Sequence, residues 1–168
     1  MTLDGINGFD RGTFVAAFGD VFEHSPWVAE RAYASAPFAS GDALHDAMCR
    51  VMLEATPAEQ LALIRAHPQL AGKAAIRGEL TDASTREQRG AGLDQCSPEE
   101  FERLTALNAA YQEKFGFPFI IAVRGHTRES IIAAMQTRLA NDVETEHAEA
   151  LRQIERIAGF RLAAMITA

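Results

Sequence analysis

Lys114-Phe115-Gly116-Phe117-Pro118-Phe119-Ile120-Ile121-Ala122-Val123-Arg124-Gly125 is the stretch on which the fold class turns. From Phe117 to Val123 it is rich in aromatic and β-branched residues, the composition of a strand. A strand needs a partner, and the chain offers no second run of this kind. A sheet ladder therefore cannot meet all of its peptide groups, yet buried peptide groups must be met by something. Water, neighbouring helices or a ligand are the options. The class that follows is all-α: a single-domain helical bundle with one buried extended segment near 117–123.

Outward from this stretch the pattern is helical, and the start signals are clear. Thr56-Pro57-Ala58-Glu59 joins an N-cap threonine, a proline at the first helical position and a glutamate able to close a capping box. Ser97-Pro98-Glu99-Glu100 repeats the device, and Ser25-Pro26-Trp27 repeats its first two elements. These signals predict about eight helices, near 10–23, 26–35, 41–55, 57–66, 84–91, 98–115, 128–140 and 143–166. Only 67–83 and 116–127 are long linkers. The series Phe9, Phe14, Phe18 and Phe22 reads as core packing.

Composition narrows the function. A chain of 168 residues that is 48% hydrophobic can bury one substantial core, and residues 1–168 read as one domain. A net charge of -7 without a basic run argues against nucleic acid. No apolar stretch approaches the roughly 20 residues that span a bilayer, and the N-terminus lacks the basic and apolar regions of a signal peptide. Cys49 and Cys96 are far apart, as in a reduced cytoplasmic protein. His24, His45, His126 and His147 show no i, i+4 pair, so no metal site is expected. No phosphate loop, dinucleotide fingerprint or Gly-x-Ser-x-Gly elbow is present, so no cofactor is expected either.

Three segments interrupt the helices with chemistry-bearing residues. His67 ends the 57–66 helix because Pro68 disfavours helical geometry before it. The negative end of a helix stabilises imidazolium, which suits a proton donor near neutral pH; the alternative is a histidine that only caps its own carbonyls. Gly72 allows tight backbone geometry there and Lys73 could meet an anion. Ser84-x-x-Glu87 has the spacing of a capping box, which would leave Glu87 a structural role. A helix start at 84–88 could equally hold a polar ligand, with the Gln88 amide beside it. Arg161 stands in an apolar stripe with Ile157, Ala158, Ala164 and Met165. It is either half of a structural ion pair, a snorkelling side chain, or a cation for a substrate carboxylate or carbonyl.

His67-Pro68-x-Leu70-Ala71-Gly72-Lys73, Ser84-x-x-Glu87-Gln88-x-x-Ala91-Gly92-Leu93 and Tyr111-x-x-Lys114-Phe115-Gly116-Phe117-Pro118-Phe119-Ile120 together resemble the OHCU decarboxylase family, as does Ser25-Pro26-Trp27. Its members decarboxylate 2-oxo-4-hydroxy-4-carboxy-5-ureidoimidazoline to (S)-allantoin in urate degradation. Gln69 departs from the pattern, where aspartate is expected. The chain matches the decarboxylase module alone, whereas some relatives are fused to the preceding hydrolase. The resemblance implies a cofactor-free, all-helical homodimer acting on a small-molecule substrate; the absence of targeting signals is what points to the cytoplasm. It makes His67 the proton donor, with Glu87 as its catalytic partner. It implies substrate contacts at Pro68, at Ser84, Thr85, Arg86, Glu87 and Gln88, at Phe119, Ile120, Ile121, Ala122 and Val123, and at Arg161. The competing expectations are a binding module for a ureide or purine-like metabolite, and a cofactor-free hydrolase of a related ureide.

Overall fold

Ten α-helices make up most of residues 1–167, the part of the chain that the computed structural model describes: α1 (Leu3–Asn7), α2 (Arg11–Phe18), α3 (Trp27–Ala32), α4 (Gly41–Glu54), α5 (Pro57–Ala66), α6 (Lys73–Ile76), α7 (Asp82–Gly90), α8 (Pro98–Phe115), α9 (Arg128–Arg138) and α10 (Val143–Met165). Short 3-10 turns lie at Tyr33–Ser35 and Leu93–Gln95, and no strand occurs among the described residues. The fold is all-α, as the unpartnered 117–123 run required.

Two of the three sequence caps form. Thr56 Oγ1 accepts from the Glu59 N–H and Glu59 Oε1 from the Thr56 N–H, both at 3.2 Å. Ser97 and Glu100 make the same reciprocal pair at 3.1 and 3.0 Å. At the third, the Ser25 hydroxyl instead donates to the Glu23 carbonyl at 2.8 Å, and α3 starts behind Pro26 with no side-chain cap. Four further differences concern short or shifted elements. α1 and α6 are helices of five and four residues that no periodicity could signal. α2 ends at Phe18 rather than near 23. α7 begins two residues early, at Asp82.

The chain forms two compact units, Met1–Ala66 with the part from Ile154 onward, and His67–Gln153. In the first, Phe14 packs on Phe18 and Phe38 at ring separations of 4.9 and 5.8 Å, with Phe22, Leu44, Met48 and Met52 also buried. Phe14, Phe18 and Phe22 thus serve as core. Cys49 is buried here, and burial pushes its thiol up to about 12, which leaves it unreactive at neutral pH.

The second unit is organised by the buried face of α8, on which Leu104, Asn108, Tyr111 and Phe115 recur at helical spacing. Gly116 ends that helix at φ +76, a left-handed turn that glycine adopts without a Cβ clash, and its N–H donates to Gln112 O at 2.8 Å. The chain then runs extended and buried from Phe117 to Val123. Tyr111 packs edge-on against Phe117 and Phe119, with centroids 6.0 and 5.3 Å apart.

Beneath this segment lies a polar cluster that the sequence did not announce. Glu146, with no exposed surface, accepts from Tyr111 Oη at 2.6 Å, Arg138 Nε at 2.8 Å and Asn141 Nδ2 at 2.9 Å. Burial, reinforced by the Glu146 carboxylate, pushes the Tyr111 phenol well above its ordinary range. A phenol whose folded pKa is raised contributes stability below the unfolded value of about 10, and loses it as pH rises past that value. Tyr111→Phe should therefore lower unfolding free energy by about 1.5–3 kcal/mol at pH 7 and shrink the stability lost above about pH 10. Denaturant unfolding at both pH values checks this; an unchanged alkaline limb would assign that loss to other groups.

Candidate active site

His67 stands directly after α5 and is 8% exposed. The loop it opens is tied down by two buried amides. Gln88 on α7 accepts from the Ala71 N–H at 2.9 Å, and its Nε2 donates to Gln69 O at 3.4 Å. Asn108 on α8 donates from Nδ2 to Leu70 O at 2.9 Å. Ala71 sits at φ +51, an uncommon conformation for a residue with a Cβ, and these bonds hold it there. Gly72 caps α6, with Lys73 exposed at its first position.

The start of α7 corrects the reading of Ser84. The N-cap is Thr81, whose Oγ1 accepts from the Ser84 N–H at 3.2 Å, and the Thr85 N–H already reaches Thr81 O at 2.9 Å. Ser84 and Glu87 are therefore residues within the helix, not the two ends of a capping box. Nor are the N–H groups of 85–88 those of a helix start. Their side chains diverge: Ser84 and Gln88 are buried on one face with Glu87 half-buried beside them, while Arg86 is exposed. Thr85 faces a cavity of about 450 Å³ lined also by Ala71, Ile76, Gln88, Leu93 and Phe101. His67, Pro68 and the extended segment are not among its walls.

The extended segment meets some of its peptide groups through two side chains and one turn of backbone. Ala122 N–H donates to Gln153 Oε1 at 3.0 Å, and Ile120 O accepts from Arg138 Nη1 at 2.7 Å. Val123 O accepts from the His126 N–H at 2.9 Å. The Arg138 guanidinium also lies over the Phe119 ring, 4.3 Å from its centroid. No ladder covers Phe119, Ile120, Ile121, Ala122 or Val123, so this is backbone shaped by individual contacts.

α8 carries both halves of this arrangement. Asn108 holds the His67 loop, and Tyr111, three residues on along the same face, holds the extended segment. Arg161 belongs to the other unit. Its Nη2 lies 3.6 Å from Glu23 Oε2, and its Nη1 donates to Val21 O at 3.2 Å. The ion pair, one of the readings open for Arg161, is present.

Asn108, Arg138, Glu146 and Gln153 escaped the sequence reading. Asn108 had a visible signal, a polar residue in the Leu104, Tyr111, Phe115 stripe. Arg138 and Glu146 lie on different helices, and no spacing rule pairs them.

The fold is all-α, and the 67–153 unit carries a buried imidazole, a helix face bearing carboxyl and amide groups, and unladdered peptide. The chain belongs to the OHCU decarboxylase family, whose model matches residues 7–163. A Haloferax volcanii protein named 2-oxo-4-hydroxy-4-carboxy-5-ureidoimidazoline decarboxylase is 46% identical over 163 residues, which cover 97% of this chain and 95% of that one. The uric acid degradation bifunctional protein of Bacillus subtilis is 43% identical over 99% of this chain and 33% of its own length. Among solved structures, (S)-allantoin synthase superposes with a TM-score of 0.78 at 30% identity, covering 99% of this chain and 54% of that one. OHCU decarboxylase in the presence of (S)-allantoin gives 0.70 at 21% identity, covering 94% and 98%, a likeness of fold.

Since Thr81 caps α7, Thr81→Ala should cost about 1 kcal/mol of stability. Thermal unfolding of that variant beside Ser84→Ala checks the assignment: a larger loss at Ser84 through a missing cap would restore the start at 84.

Proposed function

We propose that this protein decarboxylates 2-oxo-4-hydroxy-4-carboxy-5-ureidoimidazoline to (S)-allantoin, as its relatives' names state of them. The observation that carries the reading is the attachment of the His67 loop and the unladdered 119–123 segment to adjacent turns of α8.

The chemistry asks little of a catalyst beyond placement. One ring carbon of the substrate bears hydroxyl and carboxylate beside a carbon–nitrogen double bond. As CO2 leaves, the electrons of the broken carbon–carbon bond form a double bond to the neighbouring carbon, and those of the carbon–nitrogen bond settle on nitrogen. The substrate is thus its own electron sink. That nitrogen takes up a proton, and loss of the hydroxyl proton with protonation of the ureido-bearing carbon then gives allantoin, with net uptake of one proton.

His67 delivers that proton to one face of the carbon and so fixes the configuration. Glu87 orients the imidazole or holds the substrate hydroxyl and ring N–H. Ser84, Gln88, Pro68 and the 119–123 backbone bond the ring and ureido groups and keep the carbon aligned with its donor. Phe117 and Phe119, both buried, help to exclude water from the carboxylate. Thr85 and Arg86 shape the site only as part of α7, because their N–H groups lie inside the helix and their side chains face elsewhere. Arg161 takes no step in this reading, since Glu23 already meets its charge. The enzyme works without a cofactor, as a homodimer in the cytoplasm; the dimer predicts a solution mass twice that of the chain, and a mass equal to that of one chain would refute it.

His67→Asn should lower turnover by about 10²-fold or more, and Glu87→Gln should fold yet lose activity. The decisive assay is chiral analysis of allantoin formed from freshly generated substrate. The S enantiomer in excess is expected; racemic allantoin formed at the spontaneous rate would refute the assignment. Ligand affinity without CO2 release would favour a binding module instead.

A further inference from the structure

We infer that Asn108 is a positioning residue for His67, acting through the single peptide plane between Leu70 and Ala71. That plane is gripped at both ends by buried amides: its carbonyl accepts from Asn108 Nδ2 at 2.9 Å, and its N–H donates to Gln88 Oε1 at 2.9 Å. Few loop peptides have both polar groups taken by buried side chains of two different helices. The grip fixes the plane's rotation and holds the positive φ of Ala71. Only two residues separate His67 from Leu70, and one of them is Pro68, with its ring-locked φ. A displacement of this plane is therefore passed to the imidazole rather than absorbed between them.

The cost of Asn108 shows that the grip has a purpose beyond packing. Asn108 is 5% exposed, and its Oδ1 is buried with no hydrogen-bond partner among the described residues. An unmet buried acceptor is unfavourable. Leucine would fill the same place in the Leu104, Tyr111, Phe115 face without that penalty. What leucine lacks is the Nδ2 donor to Leu70 O. The amide at 108 thus gives up half of its own bonding to hold the loop that carries the proton donor.

This inference rests on His67 being the proton donor, and the test separates the two. In Asn108→Leu the expected result is a kcat lower by about 10- to 100-fold with KM within about twofold, the signature of lost alignment in the transition state rather than lost binding. Backbone amides of 67–72 should exchange hydrogen faster than in the wild type while those of 119–123 keep their rates. Asn108→Asp, equal in size and lacking the donor when ionised, carries the same expectation if the leucine variant does not fold. An unchanged kcat, a loss confined to KM, or unchanged exchange at 67–72 overturns the role of Asn108. His67→Asn is assayed alongside: wild-type turnover there removes the proton donor and the positioning role together, whereas a large loss there with Asn108→Leu unimpaired removes Asn108 alone.

Discussion

The buried pair of Arg138 and Glu146 is the constraint on which the 67–153 unit depends. Taking two ions out of water costs several kcal/mol each, and attraction between them offsets that only with good geometry and further hydrogen bonds. Glu146 meets the condition with three donors, from Tyr111, Arg138 and Asn141. Arg138 spends Nη1 on the Ile120 carbonyl and lays its plane on Phe119. One pair thereby fastens α8, α9 and α10 to a peptide run that has no sheet to join. Remove either ion and the other is stranded among aromatic rings.

That fastening explains how extended backbone can sit in a helical core. A ladder would meet every second peptide group of 117–123 and bury its edge. Here Arg138 and Gln153 each meet one group, at Ile120 and Ala122. α8 extends the same economy to the other half of the site, with Asn108 holding the His67 loop one turn before Tyr111 holds the extended segment. A ligand spanning the two would be measured against a ruler of a single helical turn.

The sequence was most legible where local rules suffice. Thr56–Glu59 and Ser97–Glu100 declared their helix starts because a capping box is complete within four residues. The 117–123 run declared its own irregularity, since an unpartnered strand composition has few outcomes. Ser84–Glu87 misled because Thr81, three residues earlier, offers the same hydroxyl and wins the cap. α6 was hidden because four residues carry too little periodicity. The Arg138–Glu146 pair depends on tertiary packing between α9 and α10, which no local pattern encodes. Arg161 was legible as an anomaly and its partner was not, because Glu23 lies far away in sequence.

Functionally, the proposed reaction asks the fold to hold an acid near a carbon and little else, and the Asn108 and Tyr111 contacts of α8 are where it would do so. A structure of the protein with (S)-allantoin bound tests this most directly. The account predicts the ureido and ring groups of the product against the peptides of 119–123, with the His67 ring in contact with the stereogenic carbon. Product seated instead in the cavity of Thr85, Leu93 and Phe101, with His67 out of reach, would contradict it.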